Sequence, residues 1–282
     1  MDVSDPHSIT ASPEPPVSEN YQYWRDNGAT WINEYDRRKK TIPSYHIQEI
    51  MLASYLEQCV HVRVLEFGCG IGRHLRYLNE IAGLEIHGYD QSETMVGGLE
   101  TWADAHWIGE RVRLGNPTGT LPYPDKYFDV AYTAEVLVHV RPEDLPSVLQ
   151  ELMRVTKWHV LHLEPAPGVA VERDCHNGCW NHDLPQVYSE LGIACETLES
   201  AYPMHAPYRA VLTPGQSLPV WSAVQLKLMK RMERDLNEGL SSLASEQMVY
   251  QKALDAKESQ IDSLRRQAVG QAEAMDELKK SL

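Results

Sequence analysis

The residues best suited to chemistry stand at the ends of apolar runs. Val64-Leu65-Glu66-Phe67-Gly68-Cys69-Gly70-Ile71-Gly72-Arg73 sets glycines at alternate positions directly after such a run. Glycines at a strand-to-helix turn permit a tight bend and let a ligand approach the backbone. That loop suits a dinucleotide, a nucleoside, or a tight turn alone. Arg73 occupies the place of a dinucleotide fingerprint's third glycine, and Glu66 stands two residues before the first glycine. A carboxylate there repels a pyrophosphate and favours a ligand carrying an ammonium group. Asp90 closes a second apolar run, 18 residues after Gly72, where an acid can hold a ribose hydroxyl pair. A plain surface carboxylate is the alternative.

Histidines are the candidate bases. His139 follows one strand-like run and His162 lies within another, so both could face a pocket. The cluster Asp174-Cys175-His176-Asn177-Gly178-Cys179-Trp180-Asn181-His182-Asp183 offers His176 or His182 as base or substrate contact. Its bland alternative is a polar loop in which Asp183 caps the next helix. Cys175, His176, Cys179 and His182 have zinc-ligand chemistry, but a second half-site is missing and no metal is expected. Glu164 is a metal or substrate ligand, or a satisfied strand-end carboxylate. Trp24, Trp31 and Tyr23 either cover a cleft as a lid or pack on a sheet edge.

Alternating elements must position these groups. Strands are predicted at 61–67, 84–89, 111–114, 128–133 and 158–163, and helices at 44–59, 73–81, 92–105 (capped by Ser92) and 143–156. Strands alternating with helices indicate a doubly wound α/β sheet, mostly parallel. Beyond Pro165, a helix at 184–191 and strands near 193–198 and 208–212 complete the domain, taken as residues 20–215. Residues 1–19, proline-rich and almost without apolar side chains, read as disordered. After the breaker cluster Thr213 to Pro219, a helix fills 222–282. From Leu240 to Leu282 a 3-4 spacing holds thirteen seam positions, ten of them apolar. That spacing predicts a parallel oligomerising coiled coil, dimer or trimer, rather than one amphipathic helix folded back on the domain.

The chain has 282 residues and a formal net charge of −14. Ten basic and ten acidic residues balance from Ser222 onward, so the whole acidic excess lies in residues 1–221. Such a surface argues against nucleic acid. It favours a neutral acceptor over an anionic polymer, unless Arg37 to Lys40 forms a local basic patch. No run of about 18 apolar residues predicts a transmembrane helix. The N-terminus has no secretory pattern, and five cysteines, an odd number, suit a reducing compartment. A cytoplasmic protein is expected, or one peripheral to the inner face of a membrane.

Glu66-Phe67-Gly68-Cys69-Gly70-Ile71-Gly72 with Tyr89-Asp90 resembles motifs I and II of the class I S-adenosylmethionine-dependent methyltransferases. Leu114-Gly115-Asn116, Leu121-Pro122-Tyr123-Pro124-Asp125-Lys126-Tyr127-Phe128-Asp129-Val130, Glu135 to Val140 and Leu163-Glu164-Pro165 resemble its later segments, in order. The resemblance, over about residues 44–213, implies a Rossmann-like methyltransferase sheet and S-adenosylmethionine as cofactor. It implies that Gly68, Gly70 and Gly72 lie along the donor's methionine and ribose and that Glu66 engages its amino end. Asp90 would take the ribose hydroxyls, Gln91 and Met95 would flank the adenine, Asn116 would face the adenine amino group, and Glu135 would line the sulfonium end. The domain-plus-coiled-coil layout is similar to that of bacterial surface-glycan methyltransferases, which implies a saccharide hydroxyl as acceptor. A small-metabolite O- or N-methyltransferase and a non-catalytic cofactor-binding scaffold are the alternatives.

Overall fold

The computed structural model describes residues 19–42, 44–59, 61–166, 169, 178–202 and 204–281. The predicted disordered segment therefore falls outside the described residues, except for Glu19, which opens a helix. In chain order the elements are α1 (Glu19–Thr41), α2 (Ser44–Leu56), β1 (Val62–Phe67), α3 (Arg73–Leu78), β2 (Leu84–Asp90), α4 (Glu93–Gly97), α5 (Ala105–Arg111), β3 (Val112–Leu114) and β4 (Phe128–Ala134). Then come α6 (Leu145–Val155), β5 (Thr156–Pro165), α7 (Leu184–Glu190), β6 (Ala194–Thr197), β7 (His205–Val211) and α8 (Ala223–Ser281).

The strands form one sheet of order β3-β2-β1-β4-β5-β7-β6. Pairings from β3 to β5 are parallel, whereas β7 runs antiparallel to both β5 and β6. Parallel strands need crossovers, and helices supply them while covering the sheet faces. That explains why five of the six residues of β1 are buried, Glu66 among them. Glu66 pairs with Gly88 and Phe67 with Tyr89, so β1 and β2 end together and their following loops open on one edge.

Local sequence accounts for the helices. In α6, Leu145, Val148, Leu149, Leu152 and Val155 recur at helical spacing and are all buried against the sheet. The single helix predicted over 92–105 is instead broken into α4, a 3-10 turn at Gly98–Thr101, and α5. Gly97 and Gly98 stand side by side there, each costing about 1 kcal/mol against alanine in a helix interior. Ser92 does cap the first piece, its Oγ accepting the Met95 N–H at 3.3 Å. The aromatic stretch before β1 is a 23-residue helix, α1, whose Trp24 and Trp31 are buried.

The compact unit containing the sheet extends to Lys230, past the boundary expected at 215. Trp221 is 8% exposed and its Nε1 donates to the Met51 carbonyl at 3.0 Å. Leu226 and Met229, in the first turns of α8, join the same core as α2. Residues Arg231–Leu282 form a second unit, helical through Ser281, in which Leu243, Tyr250, Leu254 and Ile261 are exposed. No described helix is long and apolar enough to cross a membrane.

Candidate functional site

A cleft of about 350 Å³ opens where the loops after β1, β2 and β4 converge, with α1 forming its opposite wall. That volume lies in the range of small-molecule sites. Gly68 and Gly70 line it with φ of +79° and +52°. A Cβ at Gly68 would run into the Val136 methyls, and one at Gly70 would sit 2.9 Å from Met95 Cε. Glycine is therefore demanded by both dihedral and space. Gly72, at φ +72°, opens α3 and faces Leu99 and Trp102 rather than the cleft.

Asp90 ends β2 in the cleft. Its Oδ2 accepts the Gly70 N–H at 2.7 Å and its Oδ1 the Ser92 N–H at 2.8 Å. Burial raises its carboxyl, opposed by these amides and that of Gln91. Gln91 and Met95 line the same end, and Gln91 Oε1 is buried with no hydrogen-bond partner. An orphaned acceptor on a cleft wall is a group that a ligand donor can satisfy.

Neither of two residues expected on the wall, Glu66 and Asn116, lines the cleft. Glu66 is 3% exposed, lies beneath the glycine loop and shares a 2.7 Å hydrogen bond with His74 Nδ1. Burial pushes its carboxyl up to about 8 and holds His74 well below the ordinary range. Instead of meeting an ammonium in the cleft, Glu66 fastens β1 to α3. Asn116 Oδ1 accepts from Thr118 N (3.0 Å) and Thr118 Oγ1 (2.9 Å), an Asx turn that spends the acceptor locally. Its neighbours Pro117 and Thr118 line the cleft in its place.

Glu135, just past β4, enters the cleft in the left-handed region with φ 58°. Its Oε1 lies 3.0 Å from His205 Nε2. Burial works against its charge, but the His205 hydrogen bond and the Arg73 and Arg38 guanidinia prevail, and its carboxyl falls to about 2. His205 gives no signal in the sequence. It arrives because β7 returns antiparallel along β5, pairing His205 with Pro165.

His139 lines the cleft, its ring 4.8 Å from that of Trp24 and its Nδ1 3.4 Å from Cys179 Sγ. His182 does not reach the cleft: its Nε2 faces the carbonyl oxygens of Leu137 and Val140, each at 3.0 Å. His162 is also off the cleft, buried between Thr133 and Tyr188 and lowered to about 3 by that burial. His176 and Cys175 lie outside the described residues. Asp183 does cap α7, accepting the Gln186 N–H at 3.1 Å.

Trp24, Trp31, Tyr35 and Arg38 of α1 line the cleft, while Tyr23 packs edge-on against Trp24 at 5.3 Å. The seven-residue steps from Trp24 to Trp31 and to Arg38, with Tyr35 between, put all four on one helical face. Arg37 and Arg38 share the carboxylate of Glu34 and Lys39 pairs with Glu49, so two carboxylates offset part of the four-cation patch.

Residues 64–159 match the family described as "Methyltransferase domain". Among curated proteins, a sterol 24-C-methyltransferase of Gibberella zeae is 29% identical over 97 residues, which cover 34% of this chain and 25% of that protein. Phosphoethanolamine N-methyltransferase 1 of Zea mays is 27% identical over 188 residues, covering 65% of this chain and 35% of its own length. The chain thus spans between a quarter and about a third of these relatives. Among solved structures, magnesium protoporphyrin IX methyltransferase from Synechocystis PCC 6803 with bound S-adenosylhomocysteine superposes with a TM-score of 0.53 at 17% identity, covering 68% of this chain and 99% of that one. At that identity the likeness is one of fold.

Proposed function

We propose that this chain, whose residues 64–159 carry a methyltransferase domain, transfers a methyl group from S-adenosylmethionine to a hydroxyl acceptor, with a saccharide as the substrate class. The cleft residues fit the donor: Gly68 and Gly70 leave the backbone bare, Asp90 offers carboxylate lone pairs, and Gln91 Oε1 awaits a donor. When bound, S-adenosylmethionine supplies an activated methyl and a good leaving group. The protein's work is then alignment, for which proximity is worth about 7–11 kcal/mol in favourable cases.

His139 carries the reading, because a hydroxyl acceptor needs a base and this imidazole lies in the cleft. The rings of Trp24, Trp31, Tyr35 and Tyr45, interspersed with Arg141 and Asp144, offer apolar faces beside hydrogen-bonding groups, as a sugar requires. Glu135 favours a second reading, an amine acceptor. An ionised carboxylate sharing a cleft with Tyr35 and Tyr45 suits an ammonium, and the Zea mays relative is named as an N-methyltransferase.

A mass-shift screen of sugars and amines for the gain of one methyl distinguishes the two. His139→Gln should cut transfer to a hydroxyl by about 100- to 10,000-fold while binding of S-adenosylhomocysteine persists. Full activity in that variant would move the assignment to an amine. Absence of S-adenosylmethionine binding by the folded protein would sink the enzyme reading and leave a scaffold.

The second unit extends the proposal. The 3-4 apolar seam and the exposed Leu243, Tyr250, Leu254 and Ile261 support self-association through a parallel coiled coil.

A further inference from the structure

We propose that Glu164 is the positioning residue of this site: its buried carboxylate sets the turn that brings Glu135 and His139 into the cleft. This deepens the reading of His139 as base and rests on it for catalysis, though not for geometry. Glu164 stands near the end of β5 and is 4% exposed. Its Oε1 accepts from Thr133 Oγ1 (2.7 Å), Val136 N (3.1 Å) and Leu137 N (3.1 Å), and its Oε2 from Val138 N (3.3 Å). Successive amides converging on one anion form a nest, here closed by the protein's own carboxylate.

The amides of Val136, Leu137 and Val138 fix Glu164 as an acceptor, and the hydrogen bonds behind it are compatible with that role. The Tyr188 hydroxyl lies 2.7 Å from His162 Nε2, and His162 Nδ1 lies 2.8 Å from Thr133 Oγ1. With His162 neutral, one consistent assignment runs Tyr188 O–H to Nε2, Nδ1–H to Thr133 Oγ1, and the Thr133 O–H to Glu164. The chain of donors ends at the carboxylate. A buried charge is costly unless it is fully bonded, and this one is bonded to the turn that holds the cleft residues.

The turn needs holding. A non-glycine residue at φ 58° such as Glu135 costs on the order of 1–3 kcal/mol and persists only where its surroundings enforce it. Glu164 secures the amides of the turn, and the other side secures its carbonyls. His182 Nε2 bonds the oxygens of Leu137 and Val140, and Trp180 N–H donates to Val138 O at 2.8 Å. Val136, whose amide Glu164 accepts, also bears on Gly68. One carboxylate therefore sets the aim of Glu135 and His139 and the fit of this turn against the glycine loop.

The test compares wild type with Glu164→Gln, which puts an N–H where an acceptor is required, and with His182→Phe, which removes the donor on the opposite side. The His139 imidazole is read by NMR of protein labelled with 15N-histidine, assigned with His139→Gln. Binding of S-adenosylhomocysteine is measured by calorimetry, and kcat and KM with the acceptor found by the methyl-gain screen. A displacement of about 1 Å at the reacting groups corresponds to about a 100-fold loss of kcat. Both variants should show such a loss, with KM and the Kd for S-adenosylhomocysteine within about threefold of wild type, and both should move the His139 resonances. Folded Glu164→Gln with unmoved His139 resonances or wild-type kcat overturns the proposal. If that variant does not fold, unmoved resonances in His182→Phe overturn it. The NMR result is independent of the acceptor, so a failure of the hydroxyl reading leaves it interpretable.

Discussion

Asp90 and Glu135 are both carboxylates in one cleft, yet their surroundings give them different tasks. Asp90 is held by the amides of Gly70 and Ser92 with lone pairs left for a ligand. Hydrogen bonds to a charged group are worth about 1.5–3 kcal/mol, so Asp90→Ala should weaken S-adenosylmethionine binding by about 10- to 100-fold in a titration. Unchanged affinity would refute this placement of the donor. Glu135 is held near 2 against an ordinary carboxyl value of 4.5. Its depressed value means that it stabilises the fold fully above 4.5 and loses that contribution as pH falls toward 2. Urea melts of wild type and Glu135→Gln should therefore differ near neutrality and converge between 4.5 and about 2. Gly68, Gly70 and Asp90 could be found from sequence because a tight turn after an apolar run is a local property. His205 could not, since it reaches Glu135 only through strand pairing. Glu66 stands just before the glycine loop and Asn116 just after β3, but neighbouring side chains, His74 and Thr118, claim their polar atoms. His182 shows the same limit, because a histidine in a polar cluster reads as reactive until its backbone partners are known.

At the scale of elements, the alternation of short β-rich runs with amphipathic segments determines nearly the whole sheet, because period and burial coincide there. In α6, Leu149 is fully buried between helix and sheet. Leu149→Ala should cost about 2–5 kcal/mol in chemical denaturation, from lost transfer energy and the cavity left behind. A loss below about 1 kcal/mol would mean that the site collapses around the smaller side chain. α1 was less legible. Its polar residues mask the aromatic face, and the cleft that this face completes is assembled from loops far away in the chain. The break between α4 and α5 is legible in principle, since Gly97 and Gly98 mark it.

For the whole molecule, the boundary matters more than the length of α8. Trp221, Leu226 and Met229 belong to the core that α2 completes, so a chain ending at Lys230 should melt close to the 282-residue chain and still bind S-adenosylmethionine. A chain ending at Thr213 loses those side chains and should be several kcal/mol less stable, at about 1.5–3 kcal/mol for each buried large apolar group. Equal melting of the two truncated chains would refute this boundary. In light scattering, the 282-residue chain should be a dimer or trimer and the chain ending at Lys230 a monomer. A monomer in both would exclude the coiled coil. The neutral charge balance of residues 222–282 pointed to a separate unit, but it could not reveal that the first turns of α8 are core.

Two of the seven tryptophans, Trp24 and Trp31, line the cleft, and the other five do not. The site therefore carries its own optical reporter. A ligand entering against these indoles changes their emission without any label, and Trp31→Phe should remove part of that response.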